Sequence, residues 1–274
     1  MTAPALSEAQ VKAYLDVLGV ARAAPSHAAL CSLVRAQVTR VPFENVSKLL
    51  LGRRGLRDVP DIEAYLEAIR RYHFGGTCYP NGFHFYRLLH ALGYNAALCG
   101  AAMRSGEDVH VVITVAVEGR TLLVDVGYGG PFLAPMPLDS DADLVVVHGR
   151  DRYVLKPRDT GGRSRLEMYR HGAALHGYLV DPTPRTPDHF RSIVQASFRD
   201  SATFMNAVVA IRHRATGSVA IHNLSLVRSS RDGWSEELLP DRAALVAALE
   251  GEFSIPAERT REAIAHLGSL GDVY

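Results

Sequence analysis

The chain has few cysteines, and that scarcity excludes two common uses of the residue. Its 274 residues include only Cys31, Cys78 and Cys99, with no CxxC spacing among them. An odd, sparse set of this kind is a poor disulfide framework and a poor zinc site, so we expect no metal. A reducing cytoplasm is the simplest setting, because Cys78 would stay a thiol there.

Charge of either sign is not in excess. The formal net charge is +1, and lysine occurs only at Lys12, Lys48 and Lys156. This balance gives no sign of nucleic-acid binding, and the lack of a basic run argues against an anionic membrane surface. Met1–Leu6 has no basic stretch leading into an apolar core, so we expect no signal peptide. No apolar run approaches the length of a membrane span.

Helical periodicity dominates residues 1–93, and strand patterns follow. Ser7 with Gln10 predicts a capping box for the first helix, and Gly93 predicts the end of a helix that begins near Cys78. Helices are also predicted from 26 to 41 and over 61–71. Strands are predicted at 96–103, 109–117, 121–126, 144–147, 153–155 and 166–169, then a helix from 187, a hairpin of 207–214 with 218–226, and helices at 242–249 and 256–267. Helices first, strands next and a mixture last predict a compact α+β protein.

Three segments present a Cys, a His and an Asp in an order that suits nucleophilic catalysis. Cys78 follows two glycines and opens a helix, whose N-terminus favours a nearby thiolate. His110 opens an apolar strand, and Asp125 interrupts a buried run in which a carboxylate needs a partner. A thiol nucleophile requires a base, and the base requires a group that orients it. The alternatives are a buried structural cysteine at 78 and a turn-forming aspartate at 125.

The hairpin between His110 and Asp125 sets a condition on their contact. A turn at Glu118-Gly119-Arg120 pairs Asp125 with Ile113, so contact with His110 needs a bulge or a diagonal reach. Competing motifs are weak: residues 127–130 lack the Lys-Ser/Thr of a phosphate loop, and no GxSxG elbow or paired-histidine zinc helix is present.

Several segments together resemble the arylamine N-acetyltransferase family. The resemblance spans most of residues 10–230 and rests on Val41-Pro42-Phe43-Glu44-Asn45 against I-P-F-E-N, Gly75-Gly76-Thr77-Cys78 against R-G-G-x-C, Asp125-Val126-Gly127-Tyr128-Gly129 against D-V-G-F-G, and a later segment at 204–209 that leads into a hairpin. It implies a helical domain (1–93) with the Cys, an antiparallel β-barrel (94–198) with the His and Asp, and an α/β lid (199–274).

The resemblance also implies an activity. Cys78, His110 and Asp125 would form a catalytic triad that takes an acetyl or short acyl group from acyl-CoA, with acetyl-CoA as co-substrate. The Cys78 thioester would then pass the group to an arylamine, hydrazine or hydroxylamine nitrogen. By the same resemblance, the acceptor pocket is lined by Phe43, Tyr128, Val109 and Phe204, and Ser105 and Gly106 lie near the coenzyme. A homodimer is left open.

The sequence departs from the family pattern at two places. Phe74 replaces the Arg before Gly-Gly, so Glu44 lacks its usual ion-pair partner, for which Arg71 or His73 is a substitute. The family's C-x-E/Q-x-N reads Cys78-Tyr79-Pro80-Asn81-Gly82: either both polar side chains are gone, or Asn81 is the family's Asn after a one-residue deletion. Two alternatives therefore stand. One is an amide synthase that releases a carrier-bound polyketide chain, and the other is a catalytically silent ligand-binding relative.

Overall fold

The computed structural model describes residues 5–230 and 232–270. Within those ranges the strands form two antiparallel sheets, one of eight strands and one of five. The expectation for Met1–Leu6 falls mostly on residues 1–4, which lie outside the described residues. None of the described helices is both long and apolar enough to cross a membrane.

A helical bundle forms the first part of the chain. Its elements are α1 (Glu8–Leu18), α2 (His27–Arg40), the short strand β1 (Phe43–Glu44), α3 (Val46–Arg53), α4 (Ile62–Tyr72) and α5 (Cys78–Ala91). The capping box is confirmed, since Ser7 Oγ accepts from Gln10 N and Gln10 Oε1 accepts from Ser7 N. Gly93 follows the helix end with φ +90°, as predicted. Helix α3 is not among the predicted helices, because eight residues are too short a window for helical periodicity.

The eight-stranded sheet curls into a nearly closed barrel. Its strands are β2 (Asn95–Met103), β3 (Gly106–Val117), β4 (Arg120–Val124), β5 (Met136–Pro137), β6 (Leu144–His148), β7 (Asp151–Leu155), β8 (Ser164–Arg170) and β9 (Ala173–Arg185), in the order β5-β4-β3-β2-β9-β8-β7-β6. Strand β9 is not among the predicted strands, and its last part, residues 181–185, contains two prolines. Pro182 and Pro184 lie where the β2–β9 register shifts, and an irregular position tolerates a missing N–H.

The β3–β4 hairpin corrects the predicted register by one residue. Val117 pairs with Arg120 around a two-residue turn, and both turn residues have positive φ (Glu118 +51°, Gly119 +74°). That is the type I′ geometry that matches strand twist. Ile113 therefore faces Val124, and the predicted pairing of Ile113 with Asp125 is wrong. Asp125 follows the last residue of β4.

A five-stranded sheet and several helices complete the chain. They are a 3-10 helix (Pro187–Phe190), α6 (Arg191–Ala196), α7 (Thr203–Asn206), β10 (Val209–Arg214), β11 (Gly217–His222), β12 (Ser225–Ser230), β13 (Gly233–Leu238), α8 (Arg242–Phe253) and α9 (Ala257–Ile264). The strand predicted over 218–226 is two strands separated by a turn. Strand β13 was not predicted, since its side chains are all exposed and carry no alternating pattern. The division of the chain at residues 93 and 198 stays a prediction.

The N-terminal bundle and the C-terminal sheet are joined by residues 43–45. Strand β1 pairs with β10, with Phe43 opposite Ile211. The fully buried Asn45 donates from Nδ2 to the carbonyls of Phe204 (2.8 Å) and Ala207 (2.7 Å), and its Oδ1 accepts from Val209 N (2.8 Å). One amide side chain thus satisfies three buried backbone groups of a distant segment.

Asn45→Ala should lower the free energy of unfolding by about 2–5 kcal/mol, because three buried backbone groups lose their partner. Urea denaturation measures the change. Asn95→Ala, at an exposed position at the start of β2, is the matched control and should stay within about 0.5 kcal/mol of wild type. Equal stabilities of the two variants would show that the Asn45 amide does not hold the two parts together.

Candidate active site

The loop before Cys78 is clamped from two sides. Cys78 is buried, with 8% of its surface exposed, and is the first residue of α5. On one side Glu44 accepts from Gly76 N through Oε1 (2.8 Å) and donates its own N–H to the Gly76 carbonyl (3.1 Å). On the other side Asn81 Nδ2 donates to the carbonyls of Gly76 (2.9 Å) and Thr77 (3.2 Å). These bonds fix the backbone that carries the thiol.

Asn81 is itself held by a buried polar network. Its Oδ1 accepts from Tyr65 OH (2.9 Å) and from Gln37 Nε2 (3.2 Å). Tyr14 OH donates in turn to Gln37 Oε1 (3.1 Å). The network draws on α1, α2, α4 and α5, and a fully bonded network of this kind is rigid. Asn81 is therefore a buried residue that holds the loop before Cys78. This role is the same whether or not Asn81 corresponds to the Asn of the family motif.

Glu44 is satisfied without an arginine. Its carboxylate accepts from Ser47 Oγ (2.6 Å) and Ser47 N (2.9 Å) in addition to Gly76 N. Burial raises the pKa of Glu44, and these hydrogen bonds oppose the rise. Within the described residues, neither Arg71 nor His73 is an ion-pair partner of Glu44, so the substitution predicted for them is wrong. The hydrogen-bond donors of Ser47 and Gly76 take the place of the arginine that the family pattern has beside this glutamate.

His110 is placed by an irregularity in β3. Ala101 pairs with His110 and Met103 pairs with Gly106, so β3 carries extra residues between these pairs. Asp108 lies in this bulge with φ +53°. Bulges beside active sites re-aim side chains. The turn between β2 and β3 comprises residues 104–105, and β3 begins at Gly106, three residues before the predicted strand 109–117.

Helix α5 lies directly against β3. Tyr79 OH donates to the Asp108 carbonyl (3.2 Å). A Cβ atom added to Gly82 would come within 2.8 Å of Val111 Cγ1, so this position of the helix has room only for glycine. The nucleophile and the histidine are therefore carried by two elements in direct contact.

The carboxylate of Asp125 is buried and fully bonded. Its Oδ2 pairs with His110 Nε2 (3.0 Å) and accepts from Tyr178 OH (2.8 Å). Its Oδ1 accepts from the N–H groups of Gly127 and Tyr128, both at 3.0 Å. The sequence predicts a bulge or a diagonal reach for this contact. Asp125 lies one residue past β4 and reaches His110 diagonally, and β3 also carries a bulge beside His110. The buried charge is acceptable because four donors converge on it.

Tyr178 is a site residue that the sequence does not reveal. The run Tyr178-Leu179-Val180 is a strand signal, but nothing local connects it with Asp125, which lies 53 positions earlier. Tyr178 lies on β9, and its ring centroid is 5.0 Å from that of His110. It therefore borders both the carboxylate and the imidazole.

The environment of His110 favours the imidazolium. Burial alone would lower its pKa, but the charge and hydrogen bond of Asp125, together with a hydrogen bond to Cys78, raise the pKa to about 10. Because Nε2 engages Asp125, Nδ1 is the ring nitrogen left for the thiol. At neutral pH the site therefore holds a positive charge beside Cys78.

The turn after Asp125 lies directly on the nucleophile. A Cβ atom at Gly127 would come within 2.8 Å of Cys78 Cα and 2.9 Å of its carbonyl oxygen. Only glycine allows this approach. The structure thus brings Cys78, His110 and Asp125 together.

The predicted pocket residues fall into two groups. Phe43 and Phe204 stack edge to face at 5.7 Å. Tyr128 lies 5.6 Å from the His110 ring, and its hydroxyl is hydrogen-bonded to His176 Nδ1. Val109 instead lies beside Gly106, where an added Cβ would approach Val109 Cγ1 to 3.4 Å. Ser105 is exposed in the turn between β2 and β3. Substrate binding by these residues stays a prediction.

Comparison with known proteins connects this geometry with a family. A family model described as N-acetyltransferase matches residues 27–261. The chain is 25% identical over 209 residues to proansamycin X synthase from Amycolatopsis mediterranei, covering 68% of this chain and 77% of the synthase. It is 26% identical over 153 residues to arylamine N-acetyltransferase 1 from Homo sapiens, a match to 52% of this chain and 49% of that enzyme.

Solved structures share the whole fold. The arylamine N-acetyltransferase from Salmonella typhimurium superposes with a TM-score of 0.78 at 21% identity, covering 95% of this chain and 99% of that one. The Mycobacterium marinum enzyme in complex with CoA gives 0.78 at 22% identity, with coverage of 93% and 98%. At such identities the likeness concerns the fold alone. The family model, however, matches most of the chain, and the chain therefore belongs to the arylamine N-acetyltransferase family of enzymes.

Proposed function

We propose that the protein moves an acetyl or other short acyl group from acyl-CoA to an arylamine, hydrazine or hydroxylamine nitrogen. The group travels as a thioester on Cys78. The observation that carries this proposal is the buried, fully bonded His110–Asp125 pair beside a thiol at a helix N-terminus, in a chain of this family. The reaction is assigned to the cytoplasm, where the thiol stays reduced.

In the first half-reaction, the proton of Cys78 already resides on His110 in a thiolate–imidazolium pair, and the thiolate attacks the thioester carbonyl of the donor. The new carbon–sulfur bond forms, the bond to coenzyme A breaks, and the imidazolium returns its proton to the leaving thiolate. Asp125 stabilises the imidazolium through the 3.0 Å bond to Nε2.

In the second half-reaction, the acceptor nitrogen attacks the Cys78 thioester. His110 takes the proton that the nitrogen loses, and the tetrahedral intermediate collapses to release Cys78 and the amide product. The free N–H groups at the start of α5, those of Cys78 and Tyr79, are the oxyanion donors we propose. Pro80 has no N–H to contribute.

We place the acceptor amine beside the aromatic pocket residues and the coenzyme beside the turn between β2 and β3. The aromatic rings of Phe43, Tyr128 and Phe204 would hold the acceptor, since an arylamine is flat and apolar. Val109 would border the acceptor, and Ser105 and Gly106 beside it would lie near the coenzyme. A homodimer is not required by this scheme.

An amide synthase is the second candidate. It is favoured by one observation: proansamycin X synthase, which is named for a synthase activity, matches 68% of this chain. In that case a carrier-bound acyl chain replaces acyl-CoA and Cys78 keeps the same role. A silent ligand-binding relative is disfavoured, because such a protein has no need of a buried carboxylate held against a histidine.

Brief mixing with acetyl-CoA should add one acetyl group to the wild-type protein, as seen by intact-protein mass. Cys78→Ser should stay folded and show no adduct, whereas Cys31→Ser should be acetylated normally. Addition of an arylamine or a hydrazine should remove the adduct. An acetylated Cys78→Ser variant would contradict the nucleophile assignment. No adduct on wild type, with an adduct from a carrier-bound acyl thioester, would favour the synthase.

Asp125→Asn should slow acetylation of Cys78 by about a thousandfold or more, because the imidazolium loses its counter-charge and its fixed tautomer. Tyr178→Phe should slow it by roughly ten- to a hundredfold, the effect of removing one hydrogen bond to a charged group. Stopped-flow release of coenzyme A measures both. Tyr169→Phe removes a hydroxyl that donates to Glu167 (2.7 Å) and should leave the rate unchanged. A normal rate in Asp125→Asn would remove Asp125 from the triad.

The raised pKa of His110 predicts how stability depends on pH. The folded-state pKa, about 10, lies above the ordinary value of 6.5, so protonation favours the folded protein. This contribution is fully present below pH 6.5 and is lost as the pH rises through about 10. The stability advantage of wild type over His110→Gln should therefore shrink between these values, as measured by urea unfolding. An advantage that grows with pH would show that His110 is neutral in the folded protein.

A further inference from the structure

A cavity borders the segment that carries the nucleophile. Its volume is about 200 Å³, and it lies between α3, α4 and α6. Among the described residues that line it are Gly75–Thr77 on one side of Cys78 and Tyr79 and Pro80 on the other, whereas the three triad residues are not part of its lining. The cavity is therefore separate from the triad but touches the backbone on both sides of the thiol.

The size and the walls of the cavity suit one aromatic ring. A cavity of ~150 Å³ lined by apolar side chains holds benzene, so about 200 Å³ admits a ring with a small substituent. Tyr65, Phe74 and Phe198 offer ring surfaces, and Leu50 and Val194 add aliphatic ones. Rings of this kind favour a planar apolar partner.

A buried lysine gives the cavity its polarity. Lys48 is only 6% exposed, and its ammonium donates to Ser197 Oγ (2.6 Å) and lies 4.2 Å from the centroid of the Phe198 ring. No carboxylate of the described residues lies within ion-pair distance of it. A buried ammonium without an anion is costly, and Ser197 occupies only one of its three donors.

Burial of Lys48 affects its pKa but leaves the amine charged. Burial lowers its pKa to about 8, and the nearby Cys78 side chain opposes the change. The amine therefore still carries its proton at neutral pH. An anion in the cavity would restore the counter-charge that the surrounding protein does not supply.

Among the other charged groups at the cavity, the two arginines already have an acidic partner, so Lys48 is the cation that an anion would meet. Arg54 and Arg259 line it together with a single acid, Asp58. Both arginines also pair with Glu262, at 3.4 and 3.0 Å. Phe74 and Pro80, the two departures from the family pattern, belong to the same lining.

We propose that this cavity binds an aromatic carboxylate, with the ring between Tyr65, Phe74 and Phe198 and the carboxylate on the Lys48 ammonium. The site is distinct from the acceptor pocket of Phe43 and Tyr128. The inference does not rest on acyl transfer, because it concerns binding alone.

Fluorine NMR with 4-fluorobenzoate tests the proposal on the wild-type protein, and 4-fluorobenzyl alcohol is the uncharged probe of the same shape. We expect saturable broadening of the benzoate signal, with about tenfold weaker binding of the alcohol. Lys48→Met keeps the length of the side chain and should weaken benzoate binding about tenfold while leaving the alcohol unchanged. Lys12→Met, at an exposed lysine, should change neither.

A second variant tests the cavity without touching the charge. Ala68, on α4, lines the cavity and is only partly buried, so Ala68→Phe should fill the space and abolish binding of both probes. Circular dichroism checks that each variant is folded, and Ala68→Phe keeps the test decisive if Lys48→Met does not fold. No benzoate binding by wild type, or binding that survives Ala68→Phe, would overturn the site. Equal benzoate affinity in folded Lys48→Met would overturn the role of Lys48. A protein that fails to react with acetyl-CoA can still pass this test.

Discussion

The burial of one carboxylate is the constraint on which the site depends. Asp125 lies in the interior, where a charge is tolerated only if its lone pairs are occupied. Its four donors come from His110 on β3, Tyr178 on β9 and the two N–H groups of its own turn. The barrel must therefore bring these three parts together, and once it does the imidazole has one orientation. The same turn places Gly127 against Cys78.

The nucleophile is fixed from the other side by the helical bundle. Glu44 and Asn81 hold the backbone of Gly76 by hydrogen bonds in both directions, and neither uses an opposite charge to do so. The bundle and the barrel then meet through Gly82 and Gly127, where a single methyl group would collide. The position of Cys78 relative to His110 is thus fixed by close packing of the bundle against the barrel, since packed interiors do not deform to accommodate a misplaced side chain.

Local signals in the sequence were enough to predict the start of α5, the order of Cys, His and Asp, and the α+β class. They failed where the outcome depends on distant residues or on turn geometry. The type I′ turn at Glu118 moved the hairpin register by one residue. Tyr178 acts on a segment far away in the chain, and no local pattern marks it. Asn45 belongs to the segment 41–45 of the resemblance, but its partners at 204–209 cannot be read from that segment. Nothing in the sequence marks Lys48 as buried, but tertiary contacts bury it.

The pairing of β1 with β10 has a consequence for biosynthesis. Asn45 bonds to a residue 164 positions later, and Glu44, which clamps the loop before Cys78, lies opposite Ala210 in the same sheet. A chain still emerging from the ribosome has no β10 for these residues to join, and contacts so far apart in sequence form late. The backbone segment beside the thiol therefore gains its full set of contacts only after β10 has been translated. A nascent chain that ends before β10 therefore lacks the β1–β10 contacts beside the loop that carries Cys78.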